Sequence, residues 1–207
     1  MPSDRRAERL LRCLLGLVLC GTGTTAIIEA GLGVAPWDVL HQGIADRVGL
    51  PIGTVIVLTG VVVLAMWWPL PIRPGVGTIL NAALVGMFVD ISDLVYPDVH
   101  GLGVQVISLA AGIGAIGLGS GLYIGSGLGP GPRDGLMTGI AARGFSLRAT
   151  RTVLEVAVLA AGWALGGSIG IGTAAFAVAI GPIVHVALPL LTVGVDPVPA
   201  VEPAVAG

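Results

Sequence analysis

The sequence predicts an all-α polytopic membrane protein with six transmembrane helices in two inverted three-helix repeats. Its composition is the first observation: of 207 residues, 55% are hydrophobic and 11% are charged, whereas about a quarter of the residues in a soluble domain are charged. The second observation is a series of apolar runs of about 20 residues, the length that crosses a bilayer as a helix. The third is an internal repeat, in which the second half of the chain copies motifs of the first.

Six apolar runs are assigned to membrane spans, and they divide the chain into domains. The predicted spans are residues 10–29, 52–69, 76–95, 102–125, 150–167 and 171–192. Residues 1–9 form a basic cytoplasmic N-terminus before an uncleaved first span, because no small-residue cleavage site follows the apolar segment. The first repeat covers 10–96, an external linker 97–101 and the second repeat 102–192. Residues 193–207 are rich in proline and are predicted to form a disordered cytoplasmic tail.

The arginines predict the orientation of the chain. It has no lysine, and its ten basic residues are all arginine. With six spans, nine of them fall on one side, at positions 5, 6, 9, 12, 73, 133, 143, 148 and 151. Because positively charged loops remain in the cytoplasm, both termini are predicted to be cytoplasmic and the protein to lie in the bacterial plasma membrane. An eight-span alternative moves Arg73 outside and is less favoured.

The internal repeat is clearest in two glycine-rich segments. "AGLGVAPWDVLHQGIADR" begins at Ala30, and "SGLGPGPRDGLMTGIAAR" begins at Ser126. Gly31, Gly33, Pro36, Asp38 and Arg47 recur as Gly127, Gly129, Pro132, Asp134 and Arg143, all at an offset of 96. A second pair of blocks, 75–90 and 170–185, matches at an offset of 95. Because each repeat has three spans, the second enters the membrane from the opposite side, which makes the repeats inverted.

Each glycine-rich segment predicts a broken helix. The glycines end the preceding span, and Pro36 or Pro132 suits the first turn of a short helix. Asp38 or Asp134 lies in that turn, where its carboxylate is expected to cap exposed N–H groups. About nine residues rise only about 13 Å, so the segment is re-entrant or interfacial. Two interpretations remain open: a purely architectural helix start, or the lining of a solute path.

Polar residues inside the spans add further candidates, because such residues are costly in lipid. Asp90 and His185 occupy equivalent repeat positions and are candidates for handling protons. Glu155 follows Arg151 by one turn, and the two are expected to pair. Together with Asp38 and Asp134, the residues Asp90, His185 and Glu155 are the predicted pathway residues. Glycines in spans 1 and 4 predict that these two helices pack face to face.

Other site types find no support in the sequence. The glycine-rich segments lack the lysine of a phosphate loop and the several carboxylates of a calcium loop. The three histidines form no metal motif, and the two cysteines, Cys13 and Cys20, are expected to be small apolar packing residues. No nucleic-acid surface is predicted, because the formal net charge is −2. No catalytic residues are predicted, because no nucleophile–base pair is visible, and no cofactor is predicted.

The glycine-rich segments, together with "RTVLEVAVLAAGWALGG" and "GIGTAAFAVAIGP", resemble the YczE-like bacterial membrane proteins, which are related more loosely to the YitT group. The resemblance extends over nearly the whole chain. It implies a multi-pass protein of the bacterial plasma membrane, and it implies no substrate, cofactor or catalytic residue. The two copies differ where Trp37 and Val39 face Arg133 and Gly135, so the two segments are not expected to be equivalent sites.

Two functions are compatible with these observations, and an intramembrane enzyme is a less favoured third because no nucleophile–base pair or metal set is visible. The first is a transporter or channel for a small polar or cationic solute, in which one repeat moves against the other. The second is a non-transporting accessory or regulatory protein, which recruits partners through the basic loop 133–151. The inverted repeat with broken helices favours the first, and the small number of polar residues in the spans favours the second. Besides the lipid bilayer, a second copy of the chain or another membrane protein is a candidate partner.

Overall fold

The computed structural model describes residues 5–193, and these residues form eight α-helices and no strand. The first half of the chain contributes α1 (Arg6–Glu29), α2 (Pro36–Val48), α3 (Ile52–Ala65) and α4 (Val76–Asp93). The second half contributes α5 (Leu102–Gly125), α6 (Pro132–Ala141), α7 (Leu147–Ala164) and α8 (Ile171–Leu191). Residues 1–4 and the predicted disordered tail from 194 onward lie outside the described residues.

Four helices are long and apolar enough to cross a membrane: α1, α4, α5 and α8. Helices α2 and α3 pass the same test as a pair bent by 114°, which gives up to five spans. Helix α7 has 18 residues but carries Arg148, Arg151 and Glu155. A helical multi-span fold is therefore confirmed. Each of the six predicted spans coincides with a helix, whereas the count of six itself stays a prediction.

The centre of the fold is the packing of α1 along α5, as the glycines of spans 1 and 4 predicted. A Cβ atom on Gly16 would lie 2.6 Å from the carbonyl oxygen of Gly119, and one on Gly112 would lie 2.6 Å from that of Gly23. Backbones approach this closely only where side chains are absent. Helix α4 packs on α1 and helix α8 packs on α5, so each half adds its last helix to the central pair.

The glycine-rich segments break the chain as predicted. Gly31 and Gly127 have φ angles of 64° and 68°, a left-handed conformation that favours glycine. The short helices then begin at Pro36 and Pro132, each at the start of the first turn. Helix α2 has 13 residues, more than the predicted nine, and helix α6 has 10.

The predicted capping role of the two aspartates is wrong. Ala35 and Gly131 stand at the N-cap positions, and neither helix start has a side-chain capping bond. Asp38 and Asp134 lie two residues inside their helices, and their carboxylates accept hydrogen bonds from other side chains. Since they do not satisfy the helix N–H groups, their interactions belong to the site described below.

The two halves contact each other through equivalent residues. The N–H of Gly77 donates to the carbonyl oxygen of Leu128 at 2.8 Å, and the N–H of Gly172 donates to that of Leu32 at 2.7 Å. Each glycine-rich segment therefore lies against the beginning of the last helix of the other half. Helix α2 similarly packs on α7, and helix α6 contacts α3.

Helices α3 and α4 pack together, whereas α7 makes no comparable contact with α8. A Cβ atom on Gly53 of α3 would collide with the carbonyl oxygen of Gly86 on α4, and the reverse also holds. Gly181 is the residue of α8 that matches Gly86 in the repeat. A Cβ atom there would meet nothing within 4 Å. The two halves thus differ at this contact, which is closed in the first half and open in the second.

Candidate central cavity

A cavity of about 300 Å³ lies where the two halves meet. Both short helices direct their N-terminal ends at it, because Pro36, Trp37 and Asp38 of α2 and Pro132, Arg133 and Asp134 of α6 line its wall. Helices α1, α4, α5, α7 and α8 supply the remaining wall. Helices α7 and α8 both line the cavity but do not pack closely on each other, and the gap between them is called the open side. The predicted proline positions thus lie at the site, and the four motif glycines shape the loops that lead to it.

Asp38 is held on the α2 side of the cavity by a buried pair. Its side chain is 4% exposed, and its Oδ1 lies 3.0 Å from Nδ1 of His41, which is 1% exposed. The closest guanidinium nitrogen of Arg133 lies 4.0 Å from the same oxygen. Sequence analysis did not connect His41 with Asp38, although a spacing of three residues places both on one helix face.

Asp134 is held on the α6 side by a tyrosine of α5. The hydroxyl of Tyr123 donates to Oδ2 of Asp134 at 2.7 Å, and Tyr123 is 4% exposed. On the opposite side of α6, the indole N–H of Trp67 donates to the carbonyl oxygen of Pro132 at 3.1 Å. These two contacts fix the start of α6. Sequence analysis missed both residues, because neither belongs to the repeated motif.

Arg133 lies between the two short helices. Its guanidinium carbon is 5.4 Å from the ring centroid of Trp37, within the range of a cation–π interaction. The indole N–H of Trp37 is buried and has no hydrogen-bond partner among residues 5–193. Trp37 and Arg133 occupy equivalent positions in the two repeats, and their side chains stack on each other.

The predicted pair of Arg151 and Glu155 is present on α7. Nε of Arg151 donates to Oε1 of Glu155 at 2.9 Å, and both residues line the cavity. Asp38, Asp134 and Glu155 are thus brought to one place, as three of the five predicted pathway residues. Because the pair is 55% and 33% exposed, it lies at the open side rather than in the packed interior.

Asp90 and His185 do not line this cavity. Oδ1 of Asp90 accepts the N–H of Gly53 at 2.7 Å, and Oδ2 accepts the hydroxyl of Thr54 at 3.0 Å. Asp90 therefore joins α4 to the beginning of α3 at the closed contact. His185 is exposed near the C-terminal end of α8. The two equivalent positions of the repeat therefore both lie outside the cavity wall.

No group of three histidine, cysteine, aspartate or glutamate residues in the described part of the chain is arranged to hold a metal ion. Cys13 and Cys20 are buried free thiols. Cys20 lines the cavity, and Cys13 packs with Leu17 and Tyr123. The cavity wall carries five charged residues, Asp38, Arg133, Asp134, Arg151 and Glu155, among mostly uncharged ones.

Comparison with known proteins gives the following relatives. A model described as a family of unknown function (DUF6198) matches residues 7–189. An uncharacterised protein of Haemophilus influenzae is 39% identical over 173 residues, which cover 83% of this chain and 79% of the relative. The uncharacterised membrane protein YczE of Bacillus subtilis is 34% identical over 182 residues, which cover 84% and 82%. The predicted resemblance to YczE is confirmed, and it agrees with a membrane location. No solved structure matches the chain.

Proposed function

The chain belongs to the family of unknown function DUF6198, and on that premise we propose that it is a small-solute transporter built on an inverted repeat. One observation carries the proposal. The broken helices of the two halves, α2 and α6, end at a single cavity lined by charged groups. Solute sites of inverted-repeat transporters are formed by such discontinuous helices at the interface between the repeats. The proposal involves transfer of an unmodified solute and no enzymatic step.

Two features support a moving, two-state protein. The reciprocal bonds of Gly77 with Leu128 and of Gly172 with Leu32 are what two equivalent halves would form. The contact between Gly53 and Gly86 is made only in the first half, since Gly181 faces open space in the second. Exchange of these two arrangements between the halves would close one side of the cavity and open the other, which is alternating access.

The arginine pattern assigns a direction to the open side. Arg148 and Arg151 lie at the start of α7, on the side that positively charged loops favour as cytoplasmic. In the proposed orientation, with both termini in the cytoplasm of a bacterium, the gap between α7 and α8 opens inward. The contact between α3 and α4, held by Asp90, then closes the outer side.

The accessory-protein function is less well supported. It relied on the basic loop 133–151 as a surface for partners. Arg133 instead stacks on Trp37, and Arg151 pairs with Glu155 at the cavity. Of the four arginines in this loop, only Arg143 and Arg148 are exposed and lie away from the cavity, and the side chain of Arg143 contacts the carbonyl oxygen of Pro69.

Access to the cavity from both sides of the membrane tests the proposal without knowledge of the solute. Ser120 lines the cavity, and we would introduce Ser120→Cys after replacing Cys13 and Cys20 by alanine. An impermeant thiol reagent is expected to modify this cysteine in right-side-out vesicles and also in inside-out vesicles, because the cavity opens alternately to each side.

The natural thiol of Cys13 provides the control. It is 0% exposed and does not line the cavity, so a protein that retains only Cys13 should react from neither side. Reaction of Ser120→Cys from one side alone would contradict transport and would favour an accessory protein with a one-sided pocket.

A further inference from the structure

We propose that the central cavity binds a zwitterion, with the carboxylate of the solute at Arg133 and Trp37 and its ammonium group at Asp134. The inference rests on the proposed function, because it names the class of solute taken by the same cavity. It follows from two features: Arg133 faces the charge of Asp38 at 4.0 Å but makes no hydrogen bond, and Asp134 has no cationic partner among the described residues.

Three of the five charged groups in the cavity, Asp38, Arg151 and Glu155, already have partners. Glu155 forms an ion pair with Arg151 at 2.9 Å. Asp38 is buried and contacts His41 at 3.0 Å. A solute gains little from groups that are compensated within the protein, since it would have to replace an existing contact. The adjacent residues Arg133 and Asp134 remain.

Arg133 and Trp37 together present donors without an acceptor. The guanidinium of Arg133 reaches its nearest carboxylate oxygen, on Asp38, only at 4.0 Å, which is too long for a hydrogen bond. Trp37 is 7% exposed, and its indole N–H has no partner within the described chain. A buried donor without an acceptor is costly. A carboxylate bound at Arg133 would give its guanidinium an acceptor and would lie next to the indole of Trp37, on which Arg133 stacks. The N-terminal ends of α2 and α6 favour a negative charge there.

Asp134 lacks a positively charged partner, whereas Arg133 lacks a hydrogen-bond acceptor. Its carboxylate accepts the hydroxyl of Tyr123 at 2.7 Å, and no cationic side chain within residues 5–193 lies within 4.0 Å of it. It is exposed and lines the cavity. An ammonium group of the solute would supply the missing positive charge. Because Asp134 is the neighbour of Arg133 in sequence, both ends of a short zwitterion can be reached at once.

The volume and the lining of the cavity determine the size and the polarity of the remaining part of the solute. A volume of about 300 Å³ is at the lower end of the range for small-molecule sites. Ile116, Phe176, Ile180 and Val184 also line the cavity, so they would receive an apolar body. The expected solute is therefore of the size and kind of an apolar amino acid.

A matched set of ligands tests each half of the zwitterion. Purified full-length protein is heated with each of the twenty standard amino acids or with glycine betaine, and its Tm is recorded. The best zwitterion is then compared with its decarboxylated amine and its deaminated acid. For leucine these are isoamylamine and 4-methylpentanoate. We expect at least one zwitterion to raise the Tm by several degrees, and both truncated ligands to bind at least about tenfold more weakly.

Substitutions at the two charges test the location. Arg133→Gln and Asp134→Asn are each expected to weaken zwitterion binding by about tenfold or more. Arg148→Gln and Asp46→Asn remove the same charges at exposed positions outside the cavity and should leave binding unchanged. The Tm without ligand reports whether each variant folds.

Three outcomes would overturn the inference: stabilisation by none of the zwitterions, equal binding of the amine, or binding that survives both cavity substitutions. These outcomes are distinct from failure of the transport proposal. If the amine alone binds and Ser120→Cys reacts from both sides, the solute class is wrong and transport stands. If a zwitterion binds at Arg133 and Asp134 but Ser120→Cys reacts from one side only, the site stands and transport is wrong.

Discussion

Gly112→Val is expected to destabilise the protein by about 3 kcal/mol or more, the upper range for overpacking a well-packed contact. A Cβ atom at Gly112 would lie 2.6 Å from the carbonyl oxygen of Gly23 and 2.7 Å from the side chain of Ile27. The carbonyl belongs to the backbone of α1 and cannot rotate away as a side chain does. Since α1 and α5 form the centre of the fold, separating them disturbs every helix that packs on either one.

The measurement is the Tm and the yield of monodisperse protein in detergent. Gly114→Val is the control, because Gly114 lies on the same helix and a Cβ there meets nothing within 4 Å. Both substitutions introduce the same β-branched residue into the same helix, so the change in helix propensity is the same in the two variants. Equal stability of the two variants would contradict the packing of α1 on α5.

Gly181→Leu is expected to leave the fold intact and to prevent closure of the open side. A side chain at residue 181 has space in this structure, but the equivalent Gly86 touches the backbone of Gly53 where the first half is closed. A clash of that kind costs about 1–3 kcal/mol, which corresponds to a shift in population of about 5- to 150-fold. The rate of Ser120→Cys modification from the outer side should fall in that proportion, while modification from the inner side persists.

Val178→Leu is the control for Gly181→Leu, because Val178 is 77% exposed on the same helix and lies outside the cavity wall. It should change neither rate. Unaltered outer-side modification of Ser120→Cys in the Gly181→Leu background would mean that α7 and α8 do not need to close, and alternating access would be rejected. Loss of modification from both sides would instead mean that the leucine simply fills the cavity.

Local patterns predicted the parts of the fold that depend on local geometry. The apolar runs predicted the helices, and proline predicted the starts of α2 and α6 at Pro36 and Pro132. The spacing of four residues predicted the pair of Arg151 and Glu155. The small residues of spans 1 and 4 predicted the contact of α1 with α5, because close backbone approach requires glycine whatever the rest of the fold does.

Local patterns did not predict the contacts that depend on residues from other helices, or those in which two hydrogen-bonding partners compete for one side chain. An aspartate two residues into a helix can cap N–H groups, but Asp134 instead meets Tyr123, which packs beside it only when α5 and α6 are in place. The pathway role of Asp90 stays a prediction, and local patterns did not show that its carboxylate accepts the N–H of Gly53, 37 residues earlier. The repeat placed Asp90 and His185 at equivalent positions, but it could not predict that one contact is closed and the other open.

The proposed transport mechanism requires that the two halves are inverted in the membrane around one cavity. Asp46 in α2 and Ala142 after α6 are equivalent in the repeat at an offset of 96, and both are exposed. The most direct test is labelling of Asp46→Cys and Ala142→Cys, each in a cysteine-free background, with an impermeant maleimide. If the halves are inverted, Asp46→Cys is labelled in intact cells and Ala142→Cys is labelled only after the membrane is opened. Labelling of both residues from the same side would contradict the inversion and, with it, the proposed transport mechanism.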